Sequence, residues 1–251
     1  MTTRYHKHAM VALASAILTI PGLLSAADNA GKNQLILEPH LYSGRRNPPE
    51  QLLDNPTTLK KVEKALLNLP KAPVDFPPPY LPGFRIKAGA FDEPRTDVWI
   101  GLGFVAFKKD GAMHYLQDVN NIARILSEGM PSKTTEFAKA LRKHAAVMEL
   151  TDKPKDLATV DVSAELRWLA LTACANQGRT DVLPAARILA QTGETVVIRR
   201  IALGVIKKLG TESDVGLLES LAEDTDKGVA RSAKSAVKTL RERIGKNKDS
   251  E

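Results

Sequence analysis

Along Gln34–Tyr42 the apolar residues alternate, with Leu35, Leu37 and Leu41 on one side of a pleat, and this predicts a strand. Pro39 has no ladder donor, so the strand is expected at a sheet edge or a bulge. Ser43–Asn55, with Gly44, Pro48 and Pro49, reads as a loop. Asn55-Pro56 pairs a capping side chain with proline at the first helical position, and Leu59, Val62, Leu66 and Leu69 then recur at helical spacing up to Pro70. The prolines of Pro70–Gly83 make a stiff connector. Two strands are predicted next. In Phe84–Phe91, Phe84, Ile86, Ala88 and Ala90 share a face; in Val98–Phe107, Val98, Ile100, Leu102, Phe104 and Ala106 share one, with Trp99, Val105 and Phe107 opposite. Asp92–Asp97 joins them, and Lys109-Asp110-Gly111 turns the chain into Met113–Leu116. Asp118 is read as the cap of a short helix bearing Val119, Ile122, Ile125 and Leu126, stopped by Gly129 and Pro131. Residues 28–131 are thus expected to form a small α+β domain of about four strands and two helices.

Residues 132–161 hold a helix with Phe137, Leu141, Ala145 and Met148 on one face, followed by a Pro154-containing linker. From 162 to 251 the pattern repeats itself. Leu166-Arg167-Trp168-Leu169-Ala170 matches Ile198-Arg199-Arg200-Ile201-Ala202 at an offset of 32, and Ile198, Arg200, Ala202, Ile206 and Leu209 match Val229, Arg231, Ala233, Val237 and Leu240 at an offset of 31. First helices are predicted at Ser163–Gln177, Thr195–Leu209 and Lys227–Gly245, and second helices at Thr180–Gln191 and Ser213–Glu223. Asp181-Val182, Ala185 and Ile188 align with Asp214-Val215, Leu218 and Leu221 at an offset of 33. Gly178 and Gly210 close the first helices at equivalent points, where a left-handed residue is commonly needed. Repeats of this length signal stacked helical hairpins, each burying its apolar face against the next.

The apolar-Arg-x-x-Ala pattern, the turn glycine, the Asp-Val pair with its leucines and the acidic turn Glu223-Asp224-Thr225-Asp226 resemble the HEAT superfamily, in the short-period variety named after phycobilin lyases. The resemblance covers the C-terminal third and implies an α-solenoid whose second helices line a partner-holding concave side. It does not imply lyase activity. Off the apolar faces those helices carry Arg187, Gln191, Glu219 and Glu223, and the last helix carries a basic stripe of Arg231, Lys234, Lys238 and Arg241. The stripe reads either as a solvated cap, which an array needs for solubility, or as a grip for phosphate or an acidic partner.

The opening 27 residues change the setting. Arg4 and Lys7 precede the uncharged run Ala9–Leu24, and Pro21-Gly22 and Ser25-Ala26-Ala27 follow as a helix break and a cleavage site. This is the layout of a secretory signal, so residues 1–27 are expected to be removed and the protein to be periplasmic or secreted. Losing Arg4 and Lys7 lowers the net charge from +7 to +5, a modestly basic balance. One cysteine, Cys174, excludes an internal disulfide.

Candidate chemistry is sparse. His40, His114 and His144 are far apart and show no metal-ligand spacing; the Gly-x-Ser-x-Gly and phosphate-loop motifs are absent. Cys174 falls on a core position of the repeat and is expected to be a buried apolar residue. No catalytic residue, cofactor or metal is therefore assigned. The expected function is an exported, non-catalytic protein–protein interaction module or scaffold, with no nucleic acid partner and no membrane span once the signal is gone. The alternatives are a binder of an anionic envelope polymer or surface through the basic helix, and an enzyme whose site lies in the α+β domain around Gly101 and Gly103.

Overall fold

The structure is a computed structural model that describes residues 35–40, 46–67, 69–72, 83–88, 96–109 and 112–248. The expected signal, the Leu41 end of the first strand, most of the proline-rich connector and the Asp92–Asp97 link lie outside the described residues or at their margin. An antiparallel sheet in the N-terminal part is followed by a mostly helical C-terminal part. The chain divides into two compact units, one comprising Met1–Lys71, Pro77–Gly101 and Val105–Arg142, the other Ala72–Phe76, Leu102–Phe104 and Lys143–Glu251.

The first unit is built on strands β1 (Leu35–His40), β2 (Gln51–Leu53), β3 (Gly83–Ala88), β4 (Thr96–Gly101), β5 (Phe104–Lys109) and β6 (Ala112–Gln117), in the sheet order β2-β1-β3-β4-β5-β6. Strand β1 runs against β3 with Leu37 opposite Ile86 and Pro39 opposite Phe84, and β3 runs against β4 with Ile86 opposite Val98. Strict alternation buries Leu35, Leu37, Phe84, Ile86, Val98 and Ile100 on one face. Helix α1 (Pro56–Leu67) starts where predicted, with Asn55 Oδ1 accepting from the Thr58 N–H at 3.1 Å. Its Val62 and Leu66 are buried, as are Ile122 and Leu126 of α2 (Ile122–Gly129). A Cβ on Gly129 would lie 2.4 Å from the Thr58 side chain, so the close contact of α1 with α2 requires glycine there. Helix α3 is Glu136–Leu150, and its Phe137 meets the Phe84 ring edge-on at 5.6 Å.

Several expectations need correction. The single strand predicted over Val98–Phe107 is two strands joined at Leu102-Gly103, with Gly103 at φ +77°; a continuous apolar run concealed the turn. A third strand, the three-residue β2, lies inside the predicted loop Ser43–Asn55. The sheet therefore has six strands where about four were expected. Strand β1 is interior, but β2 covers only Leu35–Leu37, so Pro39 lies beyond the paired part on that side. The cap of α2 is Asn121, at φ 49°, whose side chain accepts from the Arg124 N–H, while Asp118 lies further back and Val119 is exposed.

The second unit contains the repeats. First helices are α4 (Ala164–Asn176), α6 (Val196–Leu209) and α8 (Lys227–Lys248); second helices are α5 (Leu183–Thr192) and α7 (Val215–Leu221), each entered through a 3-10 turn, Thr180–Val182 and Glu212–Asp214. Ser163 and Thr195 cap α4 and α6 by accepting from the Leu166 and Ile198 N–H groups. Helix α4 packs on α6 and α6 on α8; α5 packs on α6 and α7 on α8. One apolar core runs through all of them, from Leu157 and Leu171 through Ile198 and Ile206 to Val229 and Leu240.

Polar side chains tie successive repeats in a recurring way. Arg167 donates to the carbonyls of Leu157 (2.6 Å), Val160 (3.0 Å) and Val162 (3.4 Å), and its Nε faces Glu194 at 3.3 Å. Its counterpart Arg199 donates to the Ala190 carbonyl (3.1 Å) and pairs with Asp224. At the other end of the first helices, Arg179 donates to the Thr151 carbonyl, Lys208 Nζ to Asn176 Oδ1 (3.4 Å), and Arg243 to the carbonyls of Lys208 and Gly210. Lys208 and Arg243 each reach back to the end of an earlier first helix, and Arg179 reaches Thr151, the residue that follows α3. Gly178 is left-handed (φ 69°) as expected, but Gly210 is not (φ −62°); a Cβ on Gly210 would lie 2.5 Å from the Ile206 carbonyl, so it is close approach that requires this glycine.

Candidate interaction surface

The two sets of polar residues singled out in the repeats meet each other. Helices α7 and α8 pack together, and Glu219 of α7 pairs with Arg241 of α8 while Glu223 pairs with Lys234 at 3.7 Å. Arg187 on α5 makes a two-pronged pair with the buried Asp214 (2.6 and 3.2 Å). Burial pushes the Asp214 carboxyl up, but the bonds from Arg187 and Thr211 outweigh it and hold the group below its usual range. The bond to Asp214 also raises Arg187. Gln191 donates back to the Arg187 carbonyl at 3.0 Å and is exposed. Arg231 and Lys238 are exposed and have no ion-pair partner among the described residues.

These geometries separate structural polar groups from available ones. Arg187 is fixed by Asp214 and closes one repeat on the next. Lys234 and Arg241 already have carboxylates, so a polyanion would have to displace Glu223 and Glu219. Apolar side chains of these helices are also exposed: Ile188 of α5 is 48% exposed and Val197, at the start of α6, 54%. The alignment of Ile188 with the buried Leu221 therefore does not extend to burial; Leu189 points inward instead.

The region around Gly103 is filled by protein. A Cβ on Gly103 would lie 2.5 Å from the Ala173 carbonyl and 3.0 Å from Gln177 Cγ, and Asn176 Nδ2 donates to the Leu102 carbonyl at 3.0 Å. Gly103 serves a turn and a close backbone approach. Cys174 is fully buried, and burial pushes its thiol up to about 12, which leaves no thiolate for nucleophilic chemistry. Among the described residues no three His, Cys, Asp or Glu side chains come together as metal ligands, and no helix is long and apolar enough to cross a membrane.

One polar cluster escaped the sequence reading. On the other face of the sheet, Glu38, Arg85 and Trp99 lie in register across β1, β3 and β4. Glu38 accepts from Lys87 (2.9 Å) and Arg85 (3.4 Å) and faces His40 (3.4 Å); Lys87 also reaches Glu50 (2.9 Å). Trp99 has Arg85 at 5.3 Å from its ring centre and the His40 ring at 4.6 Å. Burial raises the Glu38 carboxyl, but Lys87, His40 and Arg85 together hold it below its usual range. The signal lay in the polar phase of the strands: Glu38 stands in that phase of β1 and Arg85 and Lys87 alternate in β3, opposite charges for neighbouring strands. Glu38 is paired with Lys87 and Arg85, and Lys87 with Glu50, as in a sheet face held by ion pairs.

No family model matches the chain, and comparison with curated proteins and with solved structures found no significant similarity.

Proposed function

We propose that this chain is an exported, periplasmic or secreted, non-catalytic interaction module that holds another protein on a short HEAT-like solenoid. The observation that carries the reading is the repeated clamp. Arg167 and Arg199 stand at equivalent positions, and each pairs with an acidic residue in the turn before the next first helix, Glu194 and Asp224, as stacked units of one array would. Arrays of this kind work by presenting an extended surface, and the helices here expose Ile188, three residues before the exposed Gln191 on α5, and Val197 at the start of α6. Apolar anchors within a polar surround are the composition of a protein interface.

The test is retention of envelope proteins on the tagged chain at low and moderate ionic strength, with Ile188→Glu and Val197→Glu run in parallel. Both side chains are about half exposed, so the substitutions leave the core alone. The expected result is a discrete protein retained at both salts by the wild type and lost with the two variants. A partner retained equally by both variants places the interface elsewhere, and retention that vanishes at moderate salt rejects an apolar protein interface.

A further inference from the structure

The pairing of α7 with α8 sorts the basic residues of the last repeats into two sets. Lys234 and Arg241 are matched by Glu223 and Glu219. Arg231 and Lys238 are not, and they have counterparts one repeat earlier: an offset of 31 carries Arg200 to Arg231, Gly204 to Ser235 and Lys207 to Lys238. Arg and Lys stand seven residues apart in each helix, two turns, so each pair lies along one face. Helix α6 packs on α8, and the side chains join the two faces: Arg200 Nε donates to Ser232 Oγ at 3.3 Å and Lys207 Nζ to Ser235 Oγ at 3.2 Å. Arg200, Arg231 and Lys238 are exposed and Lys207 half-buried, and none of the four has an ion-pair partner among the described residues. Small residues lie between them. A Cβ on Gly204 would have nothing within 4 Å, and Ser235 is exposed. The carboxylates that flank them along the last helix are Asp226, just before its start, whose Oδ1 accepts from the Gly228 and Val229 N–H groups, and Glu242, one turn beyond Lys238.

We propose that Arg200, Lys207, Arg231 and Lys238 form a docking surface for the anionic phospholipid face of a membrane. The two cations of each helix are about 10 Å apart along its axis, and packed helices stand roughly 8–10 Å apart. The charges therefore occupy a rectangle on a helical layer, which matches phosphates spread in a plane better than phosphates strung on a single strand. Gly204 and Ser235 let headgroups approach the guanidinium and ammonium groups, and the guanidinium can take two phosphate oxygens at once. No aromatic side chain stands among the four, as a single-stranded nucleic acid would want. The α4 counterpart of Arg200 is the half-buried Trp168, a residue type that concentrates at membrane–water boundaries. The inference goes beyond the protein-holding reading and does not depend on it.

The experiment is co-sedimentation of the full chain with vesicles of phosphatidylcholine alone and of phosphatidylcholine with phosphatidylglycerol, at low ionic strength. The readout is the gain due to the anionic lipid, and any binding by the N-terminal segment, Arg4 and Lys7 included, is common to the wild type and every variant and so drops out of the comparison between them. Two double variants remove the same charge: Arg231→Gln with Lys238→Gln, and Lys234→Gln with Arg241→Gln. The first is expected to lose roughly twenty-fold in affinity for anionic vesicles, about fivefold per charge, as is Arg200→Gln with Lys207→Gln. The second is expected to stay close to wild type, and Ile188→Glu to bind vesicles unchanged. Equal losses in all the charge variants would reduce the effect to net charge and overturn the site. No gain with anionic lipid would overturn it outright. Tighter binding to linear polyphosphate than to vesicles, lost in the same variants, would reassign it to a linear polyanion.

Discussion

Asp118 is fully buried, between the end of β6 and the start of α2, and it carries a carboxyl. Burial pushes that carboxyl up to about 6, although the N–H groups of Ile122, Asn120 and Asn121 pull the other way. The folded state then holds a proton that the unfolded chain, with an ordinary carboxyl near 3.8, releases earlier. Stability is therefore greatest below the unfolded value, falls as pH rises between about 4 and 6, and is level above that. The size is about 3 kcal/mol at most. Asp118→Asn keeps an acceptor for the Ile122 N–H but cannot ionise. It should flatten the slope between pH 4 and 6 in urea unfolding; an unchanged slope would show that some other group titrates there. The sequence showed Asp118 at a helix start but not its burial, which depends on packing around it, nor the left-handed Asn121 that does the capping.

At the scale of elements, three helix beginnings were legible, that of α2 was not, and strand endings were not. Asn55, Ser163 and Thr195 cap their helices as the side-chain chemistry requires. The Leu102-Gly103 turn was hidden because apolar residues continue straight through it, and β2 because three residues are too few to show a period. The candidate surface was half legible: the eight residues were visible as two polar sets, but that Glu219 and Glu223 neutralise Arg241 and Lys234 follows only from the packing of α7 on α8. The arginine of the repeat motif gains its meaning at the same scale. Arg167 is 9% exposed and satisfies carbonyls of Leu157, Val160 and Val162 in the segment before α4. Arg167→Ala removes their donor and leaves Glu194 without its partner, and should cost about 3 kcal/mol in urea unfolding. Arg167→Lys should recover only part, since an ammonium cannot fork between separate carbonyls. A loss within the range of ordinary surface substitutions would mean that water replaces the guanidinium.

The chain as a whole joins a unit stabilised by a sheet and a unit stabilised by stacked helices, each with its own buried core. Two compact units of this kind need not unfold together, and a single unfolding free energy then describes neither. The two buried polar groups provide one reporter for each. Asp118 belongs to the first unit; Arg167, with Leu157, Val160, Val162 and Glu194, belongs wholly to the second. Calorimetry is expected to resolve two transitions. Lowering the pH from 7 toward 4.5 should act through Asp118 on one of them, and Asp118→Asn should remove that part of the response. Arg167→Ala should lower the other and leave the first in place. If both substitutions instead move one common transition, the two cores melt as a single cooperative body. The stability of the helical array, and with it any surface the array presents, would then depend on the protonation of a carboxyl in the sheet unit.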